Sequence, residues 1–190
     1  MDEGHVLHVG HILTGTRANG PGDRTGIWLS GCSLACPGCF NKTLWPRSSG
    51  KILTVNAVAD ELRKLDNPHI TISGGEPLEQ TSALIALLEK LRGWVNSVVL
   101  FTGYACAEFD RDMLKLVYKY VDMTVAGRYD ARKAVIGGFP SSANQTVLLA
   151  GPGRIRMADA LAYRPQVEVT ATPTKTTMTG FPSPQLRRAL

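Results

Sequence analysis

At 190 residues and 20.5 kDa the chain has room for one domain with a short appendage, not for two. Hydrophobic residues at 44% and charged residues at 19% exclude a disordered or fibrous polypeptide, and no apolar run reaches the roughly 18 residues of a membrane span. The net charge of +5 is concentrated late: residues 151–190 carry six Lys/Arg against two Asp/Glu, the rest fifteen against fourteen. Those late cations are scattered and carry no aromatic interleaving, so nucleic acid is not an expected partner.

The chain opens Met1-Asp2-Glu3-Gly4-His5, acidic where a secretion signal is basic and then apolar, so a cytoplasmic, reducing setting is expected. In that setting the four cysteines serve as ligands, nucleophiles or core residues before they serve as disulfides. His5, His8 and His11 follow, readable at most as one side of a strand. Gly20-Pro21-Gly22 lacks the Lys-Ser/Thr of a phosphate loop. Thr25–Ser30 is the first strong β-branched run, with Trp28 read as core. Thr54 then caps a helix whose Val55, Val58, Leu62 and Leu65 share one face. Strand Ile70–Ser73 leads to a second helix, marked by Leu84, Leu87, Leu88 and Leu91 and stopped by Gly93. Strand Ser97–Thr102, a helix from Asp110 carrying Met113, Leu114 and Val117, and strand Met123–Ala126 come next. Gly137–Asn144 reads as a loop, and Thr146–Ala150 and Val167–Thr172 as the last strands.

Strands separated by helices need crossover connections and therefore pair in parallel. The predicted fold class is α/β, a partial, open β/α barrel of about six mostly parallel strands. One domain is expected over residues 1–190, with its core over about 19–150 and a C-terminal strand and tail over 151–190. Six strands fall short of the eight that close a β/α barrel, which leaves a cleft at the carboxyl ends, where such sheets bind ligands.

Directly after the first strong strand comes Ser30-Gly31-Cys32-Ser33-Leu34-Ala35-Cys36-Pro37-Gly38-Cys39, a C-x3-C-x2-C cluster on one short loop. Three soft thiolates suit an iron–sulfur cluster or zinc, and buried or redox thiols are the remaining reading. A closed zinc site needs a fourth ligand, and neither a second C-x2-C nor an H-x3-H follows. In a 4Fe–4S cluster, three cysteines leave one iron without a protein ligand, open for chemistry. Cys106, outside the loop, reads as a packed or incidental thiol.

The second strand ends in Ile72-Ser73-Gly74-Gly75-Glu76-Pro77. Adjacent glycines let the backbone approach a ligand, and Pro77 biases Glu76 toward an extended conformation that presents backbone carbonyls to an ammonium group. A plain strand-to-helix turn with Pro at its first position would look the same. The pairing of this turn with a cysteine loop one β/α unit earlier is what makes it specific.

Together these stretches resemble the radical S-adenosylmethionine (SAM) enzymes: Cys32, Cys36 and Cys39 match the cluster motif, and Gly74-Gly75-Glu76-Pro77 matches the methionine-binding motif. Within that family the chain is similar to the small single-cluster activating proteins that serve anaerobic ribonucleotide reductase. The matching residues include Asn19-Gly20-Pro21-Gly22 with Arg24, Cys39-Phe40-Asn41 with Trp45, and Thr102-Gly103-Tyr104. Asp122, Gly127-Arg128-Tyr129-Asp130 and Asn144-Gln145 fit as well, so the likeness spans most of residues 19–150.

The resemblance implies a 4Fe–4S cluster on the three cysteines, with SAM bound by its amino and carboxylate groups to the open iron. Reductive cleavage then gives methionine and a 5′-deoxyadenosyl radical that abstracts hydrogen. It implies that carbonyls of Gly74, Gly75, Glu76 and Pro77 hold the SAM ammonium, that Phe40 or Asn41 lies near the adenine, and that Asp122, Asn144 or Gln145 meets the amino-acid or ribose part. An external electron donor and a protein or peptide substrate covering the open cleft complete the expectation, the product being a glycyl radical on a partner enzyme. The tail Thr179-Gly180-Phe181-Pro182 with Ser183-Pro184 departs from the activating-protein pattern. Radical modification of a peptide or small metabolite therefore stands as the alternative, with a non-catalytic metal module third.

Overall fold

The predicted helical periodicities are realised as α1 (Val55–Lys64), α2 (Thr81–Lys90) and α3 (Arg111–Tyr120), one in each crossover between neighbouring parallel strands, in a structure that is a computed structural model. It describes residues 4–135, 139–164, 167–171 and 176–182. Thr54 Oγ1 caps α1 by accepting from the Ala57 N–H at 3.2 Å, and an Asp110 carboxylate oxygen caps α3 from the Met113 N–H at 2.9 Å. The strands so joined are β2 (Arg24–Leu29), β4 (His69–Gly74), β5 (Ser97–Thr102) and β6 (Met123–Ala126), parallel throughout and aligned through Ile27, Ile72 and Leu100.

Around this parallel centre the sheet is mixed, a correction to six mostly parallel strands. β1 (Val6–Thr16) pairs antiparallel with β2, β3 (Lys51–Thr54) antiparallel with β1, and β7 (Thr146–Leu149) antiparallel with β6. The seven strands run in the order β3-β1-β2-β4-β5-β6-β7. Where no helix intervenes the chain turns back on itself, and antiparallel pairing follows. β1 escapes a reading by pattern because glycines and histidines interrupt it, and a register shift between Val9 and His11 breaks its alternation. The predicted strand Val167–Thr172 becomes β8 (Val167–Ala171), which joins β9 (Thr176–Gly180) in a separate antiparallel hairpin. Thr172 lies outside the described residues, as does part of the predicted loop Gly137–Asn144.

Strand alternation divides the core in two. Ile27, Leu29, Ile70, Ile72, Val98 and Leu100 point to the face covered by α1, α2 and α3, burying Val58, Leu62, Leu84, Leu88 and Leu116 against them. Each fully buried aliphatic side chain contributes about 1.5–3 kcal/mol, so this face anchors the fold. The opposite face, which α1, α2 and α3 leave uncovered, carries Val99, Met123 and Phe101, and residues beyond β7 fold over it: Ile155 and Ala160, the latter on the short helix α4 (Met157–Ala162), pack there.

Two arginines hold the amino ends of the parallel strands, Arg24 fully buried and Arg154 at the surface. Arg24 spends its guanidinium on Thr71 Oγ1, Ser97 Oγ and the carbonyls of Pro21, Ile70 and Ser97, at 2.6–3.1 Å. Burial lowers its pKa to about 10, which leaves it charged at neutral pH. Nearby, Arg154 meets the fully buried Asp122 with three donors at 2.7–3.1 Å, tying the start of the C-terminal segment beneath β5 and β6. Among the described residues no helix is long and apolar enough to cross a membrane.

Candidate metal centre

β2 runs directly into the cysteine loop. Gly31 N–H donates to the Leu44 carbonyl at 2.8 Å and Cys32 N–H to the Trp45 carbonyl at 2.9 Å, pinning the loop's start to the turn that follows its last cysteine. The neighbouring end of β4 is laced to the same segment. Gly75 N–H donates to the Leu29 carbonyl at 2.7 Å, and Glu76 N–H to the Gly31 carbonyl at 2.8 Å. Gly74 adopts φ +115°, and a Cβ there would stand 2.3 Å from the Leu29 carbonyl oxygen, so this contact accepts only glycine. Ser33 completes the brace: its N–H and hydroxyl both donate to Glu79 Oε1, at 2.7 and 2.6 Å.

Cys32, Cys36 and Cys39, all half-buried and free of disulfides, line one cavity of about 170 Å³ at the carboxyl ends of the parallel strands. Phe40, Asn41, Gly74, Gly75, Glu76 and Gln145 line it with them. Pro77 is buried beside them and begins a 3-10 turn, Pro77–Gln80. The Asn41 amide donates to the Gly74 carbonyl at 3.3 Å, and the Gln145 amide to the Gly127 carbonyl at 2.9 Å.

Two expected contributors lie elsewhere. Asp122 sits at the amino end of β6, at the far end of the sheet, where Arg154 and the Val98 N–H take its carboxylate; its place is structural. Asn144 is exposed, donates to the Arg128 carbonyl at 2.8 Å, and is outside the cavity lining. Cys106 is exposed rather than packed.

Glu76 carries the electrostatics of the site. Its side chain is 1% exposed; Oε1 accepts from Leu78 N–H and Thr102 hydroxyl at 2.8 and 2.7 Å, and Oε2 from Gly103 N–H at 2.7 Å. It thereby ties the end of β4 to the end of β5 and is saturated by the protein. Burial outweighs these donors and pushes its pKa from the ordinary 4.5 up to about 7. The folded state then holds this proton more tightly than the unfolded chain, so stability is full below about pH 4.5 and falls as pH rises to about 7. In urea titrations between pH 4.5 and 8, wild type loses roughly 3 kcal/mol through this group, and Glu76→Gln, less stable throughout, shows a correspondingly flatter slope.

The donor set fits an iron–sulfur cluster. Burial raises the thiols of Cys32 and Cys36, the latter helped by Cys39, so a bound cation is what makes them thiolates. Among the described residues no three Cys, His, Asp or Glu side chains close to the spacing of a single ion. Three thiolates on one loop match the three corners at which a cube is held. Trp45 also lines the cavity, and its Nε1 is buried without a hydrogen-bond partner among the described residues.

Sequence reasoning missed one whole wall. Trp28, read as core, is 4% exposed yet borders the cavity, stacked on His11 with ring centroids 4.5 Å apart. Phe101 faces it too, as the alternation Val98-Val99-Leu100-Phe101 could have told once the helix-covered face was known. Met178, Thr179, Gly180 and Phe181 close the far side, so the cleft expected to be open is walled by the chain's own C-terminal hairpin.

The family described as "4Fe-4S single cluster domain" matches residues 18–148. The anaerobic ribonucleoside-triphosphate reductase-activating protein of Vibrio cholerae serotype O1 is 32% identical over 139 residues, covering 68% of this chain and 89% of that protein. Proteins of the same description from Enterobacteria phage T4 and Escherichia coli K12 are 33% and 29% identical over 121 residues each. They align with 59% and 58% of this chain and with 74% and 77% of their own lengths.

Proposed function

This chain belongs to the 4Fe-4S single cluster domain family, alongside the anaerobic ribonucleoside-triphosphate reductase-activating proteins, and from that premise we propose that it is a radical SAM activating enzyme that forms a glycyl radical on a partner reductase. The observation that carries this reading is the junction of two motifs on one cavity: three free thiols and a glycine edge, braced backbone to backbone at Gly31, Gly75 and Glu76.

Cys32, Cys36 and Cys39 would hold the cluster, and Gly74–Pro77 with Phe40, Asn41 and Gln145 would receive SAM. When bound, the reduced cluster supplies the electron that cleaves SAM to methionine and a hydrogen-abstracting 5′-deoxyadenosyl group. The protein's own part is placement. Glu76 spends its carboxylate on Leu78, Thr102 and Gly103, which fixes the glycine edge relative to β5. Trp28, Phe101 and Phe181 line the same cavity and would help to exclude water from it. We read the four parallel strands and their helices as an open β/α barrel in a single domain. Its core covers residues 19–150, and it is served by an external electron donor in the cytoplasm.

The test is anaerobic reconstitution with iron and sulfide, SAM and dithionite, followed by addition of the anaerobic ribonucleotide reductase from the same genome. We expect about four irons and four sulfides per chain, formation of 5′-deoxyadenosine, and a glycyl signal by electron paramagnetic resonance on the reductase. SAM cleavage with no glycyl signal on an authenticated reductase rejects the activating role; no cleavage rejects the radical chemistry.

A further inference from the structure

The family match ends at residue 148, yet residues far beyond it line the cavity. Arg154 is clamped by Asp122 under the sheet, Ile155 and Ala160 pack on the face opposite α1, α2 and α3, and β8 pairs antiparallel with β9, whose Met178, Thr179 and Gly180 reach the cavity. The hairpin is tied down at both strands. On β8, Glu168 accepts from Thr16 hydroxyl and Arg17 N–H at 2.5 and 2.9 Å. On β9, the buried Thr179 accepts from the Asn19 amide at 2.8 Å. Phe181 then leans on Phe101, centroids 5.6 Å apart, and Phe101 meets Phe139 edge-on at 6.3 Å.

The chemistry of this wall is one-sided. Among the described lining residues the only Asp, Glu, Lys or Arg is Glu76, and its oxygens already take three protein donors. Trp28, Phe101, Met178 and Phe181 give the lining most of its large apolar surface outside the cysteine loop, with Asn19, Ser141 and Thr179 as uncharged polar neighbours. A charged group entering there would lose its hydration, and the lining offers an aspartate no Lys or Arg, only the His11 ring stacked on Trp28. The same cavity of about 170 Å³ would also have to receive SAM, which leaves the entering group little width.

We propose that the β8–β9 hairpin is the selectivity wall of this site, with Met178 and Phe181 the specificity-determining side chains that admit a slender, uncharged stretch of polypeptide and turn away a charged one. The proposal rests on the radical SAM reading above and adds to it the part of the chain that chooses the substrate. A glycine in a neutral loop suits such a wall: its Cα hydrogen projects from backbone alone, with no side chain to accommodate.

The test uses the full, reconstituted chain with dithionite, SAM and two capped pentapeptides centred on α-dideuterated glycine, one with neutral flanks and one with aspartates on either side. One electron from dithionite breaks the sulfonium carbon–sulfur bond, giving methionine and a carbon radical. That radical takes one deuterium atom from the glycine Cα, leaving monodeuterated 5′-deoxyadenosine and a carbon-centred radical on the peptide. Mass spectrometry of 5′-deoxyadenosine reports kcat/KM for each peptide. Wild type should favour the neutral peptide by about tenfold or more. Met178→Arg should abolish or invert that ratio, and Phe181→Ala should raise KM for the neutral peptide more than it lowers kcat. Leu161→Ala, at a site 68% exposed on α4, should keep the wild-type ratio. The ratio is internal to each protein, so a less active variant still reports. A wild-type ratio in both Met178→Arg and Phe181→Ala overturns the proposal, as does SAM cleavage with no deuterium transfer from either peptide. Absence of SAM cleavage in wild type instead removes the reading beneath it.

Discussion

Cys32→Ala, Cys36→Ala and Cys39→Ala each reduce iron content and SAM cleavage to background after anaerobic reconstitution, whereas Cys106→Ala retains both. The asymmetry follows from position. The first three thiols share one cavity and one braced loop, and Cys106 stands exposed outside it. A cube held at three corners has no spare protein ligand, so losing one thiolate leaves two irons without a protein ligand. The loop itself survives each substitution, because its anchors are backbone hydrogen bonds from Gly31 and Cys32 to Leu44 and Trp45. Ultraviolet–visible spectra and iron analysis, read beside circular dichroism, separate lost ligation from lost fold. Equal cleavage by a Cys→Ala protein and wild type would falsify the assignment of that residue.

Gly75→Ala produces the second large loss, this time through packing. A Cβ at Gly75 would stand 2.3 Å from the Gly31 carbonyl oxygen and 3.0 Å from that of Leu44, and both contacts are backbone that cannot rotate away. To relieve them the end of β4 must retreat from the cysteine loop, breaking the hydrogen bonds from Gly75 to Leu29 and from Glu76 to Gly31. Overpacking and two lost buried hydrogen bonds together cost about 3 kcal/mol or more, and the reconstituted protein loses cluster although every ligand is present. Gly93→Ala is the control. Gly93 has φ +83° with nothing within 4 Å of its would-be Cβ, so only backbone strain of about 1 kcal/mol is expected and cluster content stays at the wild-type level. Urea unfolding and iron-to-protein ratios of the two variants decide the matter; a Gly75→Ala protein with full iron and wild-type stability contradicts the bracing described here.

What was legible in the chain follows a physical line. The cysteine loop and the Gly74-Gly75-Glu76-Pro77 turn are local: each needs only its own spacing and the strand before it, and the structure places both on one cavity. Helices α1, α2 and α3 were legible for the same reason, since a helix face is written in residues three and four apart. Asp122 was misplaced although a signal existed. It precedes strand Met123–Ala126, which puts it at the amino end of a parallel strand, away from the ligand side. Gln145 also precedes a strand, yet it reaches the cavity, because β7 runs antiparallel and pairs Thr146 with Ala126.

The amino-acid order alone therefore determined the three-cysteine loop, the glycine edge and the helix-joined parallel core, all consequences of short-range spacing. Only the tertiary structure decided which way β1, β3 and β7 run, that Trp28 and Phe101 face a cavity, and that the β8–β9 hairpin returns to wall it. Those outcomes depend on which of two strand faces is covered by helices and on contacts such as Asn19 with Thr179, 160 positions apart, whose pairing energy exists only after the sheet between them has formed.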